Sequence, residues 1–289
     1  MLNKKPTQML GPVPITQGEE TPKRIALLLW GDAGCGKTTL SATAPGQKLW
    51  ISLGDQEHVS VSHRPDVMVA NFSAMGYDDF FKHAQNDNPF GLDQVLANNP
   101  NIETVVFDSV TALAFRALQK AVAMGLGAGR NFTPTVEAPG LSAYGGRNAI
   151  VLEVLTGLLR VTAKHGVHVI ITAHENDPIQ DEQGNVQYIT IMLGGKLVSH
   201  NTWRLSEIWY MSQDGDRRRI AVRPTRKRRP MKSRMFTGIG PPEFELVYDS
   251  EKPDQGQMTI TSFFNQWVSG NGRKLQIPVR VNHTKGGTK

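Results

Sequence analysis

Nine consecutive residues, Gly31 to Thr39, read GDAGCGKTT. Gly31, Gly36, Lys37 and Thr38 satisfy every fixed position of the pattern G-x-x-x-x-G-K-[ST], and Asp32, Ala33, Gly34 and Cys35 fill its variable ones. Glycines let the backbone approach a phosphate with no Cβ in the way. The N–H groups of the turn and of a following helix N-terminus then face the anion. Lys37 is placed to reach β- and γ-phosphates, and the Thr38 hydroxyl to ligate Mg²⁺. Thr39 continues the loop into the next element. The chemistry expected is binding of a nucleoside triphosphate, with ATP and Mg²⁺ as cofactors. The flanks agree: RIALLLW before the loop is short and apolar enough for a buried strand, and the small residues of TTLSATA after it can open a helix.

Two further carboxylates fall where that chemistry needs them. In NIETVVFDSVTAL an apolar run ends in Asp108 and a helix pattern begins at once. A buried strand that holds one carboxylate at its tip is the form of a Walker B segment, which places Asp108 beside the Mg²⁺ held by Thr38. In KLWISLGDQEHVS, Asp55 and Glu57 lie just past a strand's C-terminal end, the edge at which open α/β sheets hold ligands. VHVIITA is another buried strand and ends at His174. Cys35 has two open readings. It is either a small residue filling a variable position, or a thiol activated by Lys37 and a helix N-terminus.

The elements that must position these groups alternate. Strands are expected at 23–30, 48–53, 67–72 and 167–173, and helices around 77–85, 92–97, 110–124 and 149–165. Paired strands are expected at 204–211 and 217–223 about a QDGD turn, and a hairpin turn at 182–185. This order predicts an α/β fold: a mostly parallel sheet with helices on both faces and antiparallel strands at one edge. Residues 1–22, with four prolines, read as an N-terminal arm carrying a short extended piece at 9–15. Residues 23–250 form the core, and 251–289 a C-terminal extension. The stretch from 125 to 147 is rich in Gly and Pro and long for a connector, as functional loops are.

Across 289 residues the hydrophobic fraction is 39%, enough for one sizeable core, and the net charge is +6. The charge is concentrated: RRRIAVRPTRKRRPMKSR, residues 217–234, holds ten Lys or Arg in eighteen positions. One sign in one place favours a surface that meets phosphate, although charge runs are commonly solvated faces. A single cysteine forms no internal disulfide, and no apolar run reaches the length of a membrane span. The expectation is a soluble, cytoplasmic protein with no membrane partner.

VVFDSVTAL resembles the Asp-Ser-Val Walker B segment of RecA-type ATPases. LWISLGDQEHVS resembles the RecA strand that ends in Glu-His, and GGKLVSHNTWRLSEIWYM the Gly-Gly stretch that closes RecA's second DNA-binding loop. The length is similar to that of compact phage nucleotide-binding proteins with a RecA-like core, and the resemblance covers roughly residues 23–235. It implies a RecA-like P-loop NTPase core and an ATP-dependent single-stranded DNA-binding protein of recombination or annealing, acting in a bacterial host's cytoplasm. The partners implied are single-stranded DNA, further copies of the chain in a filament or ring, and a single-stranded DNA-binding protein. Glu57 then takes the role of catalytic base. His174 stands where the family has a glutamine and is either a γ-phosphate sensor or a strand-end residue with no role. The family's two interface lysines fall in the region 223–229, where Arg226 is best in register for acting on a neighbour's nucleotide. Arg130, Arg147, Lys196, Arg228 and Arg229 suit DNA phosphate, with Phe132 and Tyr144 as stacking partners. RecA's C-terminal domain has no counterpart here.

Two other functions fit the same residues: a helicase or helicase loader built on this ATPase core, and a module in which ATP switches DNA affinity with little hydrolysis. A small-molecule kinase is disfavoured, because no compact lid with paired arginines is visible.

Overall fold

The computed structural model describes residues 9–11, 13–14, 23–129, 133–194, 197–198, 204–215, 217–239, 241–246 and 258–278. Alternate residues of the apolar run 26–30 serve two cores. Leu28 and Trp30 point to one face and Leu27 and Leu29 to the other, and all four are buried. A strand apolar on both sides must lie mid-sheet. This one, β3 (Ala26–Gly31), does so.

Two short strands precede it, β1 (Met9–Leu10) and β2 (Val13–Pro14), antiparallel to each other. After β3 come α1 (Lys37–Ser41), β4 (Gln47–Ser52), β5 (Val67–Asn71), α2 (Tyr77–Ala84), α3 (Leu92–Asn98), β6 (Ile102–Asp108), α4 (Val110–Ala123), α5 (Gly140–Lys164) and β7 (His168–His174). A small hairpin follows, β8 (Ile179–Gln180) and β9 (Val186–Tyr188), then β10 (Glu207–Asp214), β11 (Arg217–Ala221), β12 (Glu243–Leu246) and α6 (Ile260–Ser269). The main sheet has eight strands in the order β12-β11-β10-β3-β7-β6-β4-β5. From β10 to β5 every pair is parallel, and β10, β11 and β12 pair antiparallel at one edge. Helices α2 to α5 cover one face, with Phe80, Leu96, Leu113 and Val154 among their buried contacts. Helices α1 and α6 cover the other through Leu40, Ile260 and Phe263.

Two departures from the expected elements have physical reasons. Helix α5 starts nine residues before the expected 149, and Gly145 and Gly146 lie inside it. A Cβ on Gly146 would sit 2.3 Å from Leu126, so this glycine lets the chain after α4 pack against the helix. Read from sequence, it looks like a loop residue. Within the C-terminal extension, helix α6 packs on the core. Thr259 and Ser262 form a capping box at the start of α6, and the Thr261 hydroxyl donates to the Thr43 carbonyl at 2.6 Å, beside α1. Phe263 then packs edge-on against Trp209, Phe236 and Phe244.

Candidate functional site: the phosphate loop and its carboxylates

Parallel register puts the candidate side chains side by side. Gly31 at the end of β3 is paired with His174 at the end of β7, and Ser52 at the end of β4 with Asp108 at the end of β6. Four strand tips thus converge on the C-terminal edge of the sheet, where the phosphate loop crosses.

The loop is built by glycine. Gly34 and Gly36 have φ of +75° and +102°, and a Cβ on Gly31 would lie 2.0 Å from the Met211 carbonyl oxygen of β10. Lys37 is buried, and its Nζ donates to the carbonyls of Gly31 at 3.1 Å and Asp32 at 2.6 Å. The ammonium therefore lies inside the loop's concavity. Thr38 and Thr39 follow in the first turn of α1 and are half-buried. Cys35 is almost fully buried, and burial outweighs Lys37 to push its thiol above the usual value. That corrects the activated-thiol reading, because a thiolate needs solvation that this site withholds.

Asp108 is 4% exposed. Burial, with the Glu57 charge nearby, pushes its carboxyl up to about 6. Three groups oppose that rise: the Thr172 hydroxyl on Oδ1 at 2.5 Å, the Trp50 indole N–H on Oδ2 at 3.3 Å, and Lys37 through space. Glu57 folds back over its own loop. Its Oε2 accepts from the Gly54 N–H at 3.2 Å, and its Oε1 lies 3.7 Å from Nε2 of His174. A Cβ on Gly54 would fall 2.3 Å from the Glu57 carboxyl carbon, so the fold-back depends on that glycine. The His174 backbone N–H is fixed by the Thr111 hydroxyl of α4 at 2.9 Å. Glu57, Asp108, Lys37 and His174 thus form one cluster. Asp55, the other candidate carboxylate, is exposed.

On the other side of the loop lies a pocket of about 480 Å³, lined by Asp32, Cys35, Glu175, Tyr210, Gln213 and Arg228 among others. Glu175 and Tyr210 interact there, and burial pushes both groups up. The Arg228 guanidinium stacks on Tyr210 at 4.7 Å and pairs with Glu243 at 2.9 Å. The basic run is therefore not uniform. Arg228 and Arg223 are half-buried and tied to the chain, Arg223 by the Gly238 carbonyl, while Arg226, Lys227 and Arg229 are exposed. Arg228 thus walls the phosphate-loop pocket and does not stand on an open face. Arg147 of α5 stacks over Tyr144 at 5.0 Å, bonds Asn148 and lies near Gly194, so the start of α5 meets the segment that follows β7 there. Arg130, Phe132 and Lys196 lie outside the described residues.

Sequence reasoning missed Glu175, Tyr210 and Arg218. The Arg218 side chain lies over Gly36, 2.9 Å from where a Cβ would be. Only the pairing of β11 on β10 brings it there, and no short-range pattern carries that information.

A family model described as an AAA domain matches residues 23–234. The chain belongs to this AAA-domain family. Its matched span holds the phosphate loop, Glu57, Asp108, His174 and the basic run. No curated protein matches the sequence. Among solved structures, this AAA-domain chain is similar to a KaiC-like protein from the hyperthermophilic archaeon Pyrococcus horikoshii. The identity is 15% and the TM-score 0.39, over 78% of this chain and 86% of that one. The sheet, with β7 between the phosphate-loop strand and the Asp108 strand, is a RecA-like P-loop core. Among the described residues no helix is long and apolar enough to cross a membrane.

Proposed function

We propose that the protein hydrolyses ATP with Mg²⁺, and that it couples turnover to single-stranded DNA as a homo-oligomer. The observation that carries the ATPase reading is the position of Glu57. It is the one partly solvated carboxylate of the cluster, 3.7 Å from His174 and near Asp108 at the strand edge that the phosphate loop crosses. The residues fit Mg²⁺. The Thr38 hydroxyl and the Asp108 carboxylate are hard oxygen donors, and a small donor set suits an ion that keeps several waters.

Bound Mg²⁺ would neutralise charge on the β- and γ-phosphate oxygens. The chain's own residues supply the rest. Backbone N–H groups of 32–37 cradle the phosphates. Lys37 exchanges the Gly31 and Asp32 carbonyls for phosphate oxygens. Glu57 takes the proton of the attacking water at a carboxylate oxygen, and His174 reports the γ-phosphate to the segment that follows β7.

The DNA reading is supported by the exposed cations Arg226, Lys227 and Arg229, and by Arg147 on Tyr144 near Gly194. Arg226 is the residue proposed to act on a neighbouring copy's nucleotide. The test is phosphate release from ATP with Mg²⁺, with and without single-stranded DNA. Turnover that requires Mg²⁺ and rises with DNA is expected. Absence of release in both conditions would overturn the ATPase reading, and release unchanged by DNA would overturn the coupling.

A further inference from the structure

The two oxygens of Asp108 are each held by a different buried donor. Thr172, on β7, donates its hydroxyl to Oδ1 at 2.5 Å. Trp50, on β4, donates its indole N–H to Oδ2 at 3.3 Å. Asp108 lies on β6 between those two strands, so the neighbours on either side grip its carboxylate. Both donors have no solvent exposure and cannot swing away. Each bond uses one lone pair per oxygen and leaves another for a further ligand.

The geometry points to Trp50 and Thr172 as positioning residues that aim Asp108 at the metal, and to the Trp50 indole as an internal reporter of metal at that carboxylate. This rests on the reading of Asp108 as part of the Mg²⁺ site. Partners that orient a ligating carboxylate set metal affinity, because they fix the direction of its free lone pairs before the ion arrives. A tryptophan is a large residue to spend on one hydrogen bond. Here its ring also fills the α1 face of the sheet with Leu27, Leu29 and Val106, so one side chain ties the site to the core. The other described tryptophans point their N–H groups elsewhere: Trp30 to the Pro230 carbonyl, Trp209 to Glu207 and Trp267 to the Gly272 carbonyl. Among the described tryptophans only Trp50 bonds Asp108, so the emission change that metal at Asp108 produces is assigned to Trp50 and is tested by its loss in Trp50→Phe.

The experiment uses the full chain and three variants, Thr172→Val, Trp50→Phe and Asp108→Asn. Mg²⁺ affinity is measured at fixed ATP by titration, and ATP affinity is measured separately in chelator. Thr172→Val keeps the side chain's shape, so it serves where Trp50→Phe loosens the fold. The expected result is Mg²⁺ affinity about 10- to 100-fold weaker in Thr172→Val and Trp50→Phe, with metal-free ATP affinity unchanged. The intrinsic emission of the parent should shift on Mg²⁺ addition, and that of Trp50→Phe should not. If both variants keep the parent's Mg²⁺ affinity while Asp108→Asn loses it, the metal reading stands and the clamp is overturned. If Asp108→Asn also keeps it, the metal reading fails and takes the clamp with it. If metal-free ATP affinity falls as far as Mg²⁺ affinity, the two donors act on the fold alone and the inference is overturned.

Discussion

Oε1 of Glu57 lies 3.7 Å from Nε2 of His174, across the gap between two strand tips that share no hydrogen bond. The strands β4 and β7 are separated by β6, so the contact exists only because Glu57 folds back over Gly54. A base held this way is positioned by one glycine and one imidazole. Gly54→Ala should displace it, since the added Cβ would fall 2.3 Å from the carboxyl carbon. Turnover should drop about 10-fold or more while ATP affinity stays near the parent's, because a small misplacement of a catalytic group is costly. Equal turnover in Gly54→Ala would show that the fold-back is not the working position.

Lys37 is the cation inside the loop, and its partners are two loop carbonyls. Lys37→Ala removes the only cationic side chain the loop offers to β- and γ-phosphate. ATP binding, measured by equilibrium titration, should weaken at least about 100-fold, in keeping with a charge-assisted contact of several kcal/mol. Parent-like affinity would mean that the nucleotide sits elsewhere.

Two buried groups should give stability opposite dependences on pH. Burial holds His168 down at about 4, from an ordinary 6.5, while its Nδ1 accepts the Ile25 N–H. The unfolded chain therefore binds the extra proton, and this contribution is lost as pH falls from about 6.5 to about 4. Asp108 is raised from 3.8 to about 6, so its folded form holds the proton better, and its contribution is lost as pH rises through about 6. Each is worth about 3 kcal/mol at most, and between pH 4 and 6 their slopes cancel. In chelator, His168→Gln should leave stability rising as pH drops through 6. Asp108→Asn should leave it falling from 6.5 downward. Denaturant midpoints across that range check both signs, and parallel curves would refute the pair.

Glu207 is 2% exposed and accepts four hydrogen bonds: from Trp209, Ser233 and the backbone N–H groups of Arg234 and Met235. It ties the end of the basic run to β10. Glu207→Gln replaces an acceptor with an amide that points a donor at donors. It should cost about 1–3 kcal/mol in a denaturant titration. A change below about 0.5 kcal/mol, the size of an ordinary surface substitution, would mean that the network rearranges freely.

Within the basic run, exposure separates the residues. Alanine at Arg226, Lys227 or Arg229 should lower the salt slope of DNA binding by about one unit each. Alanine at Arg223 or Arg228, which are held by Gly238, Tyr210 and Glu243, should leave that slope unchanged. Uniform slopes across all five would remove the run from the DNA interface.

Much of this was legible in the chain itself. The strand tips, the phosphate loop, Asp108 and Glu57 lie on segments whose apolar runs and turn residues are local signals, and β3, β4, β6 and β7 form within about three residues of where periodicity puts them. What was hidden depends on distant pairing. Gly145 and Gly146 read as loop punctuation, yet Gly146 makes room for Leu126. The Asp108 donors come from strands 58 and 64 positions away in sequence. Arg228 reads as one more surface cation until Tyr210 and Glu243 are placed beside it. Cys35 leaves an inert and an activated reading open until its burial is known.

The central claim, that Glu57 is the base of an ATPase, is tested most directly by Glu57→Gln in a paired measurement of ATP affinity and steady-state phosphate release with Mg²⁺. The account predicts parent-like affinity with turnover reduced about 10²- to 10⁴-fold, the usual contribution of a positioned base. Turnover equal to the parent's at equal affinity would contradict it.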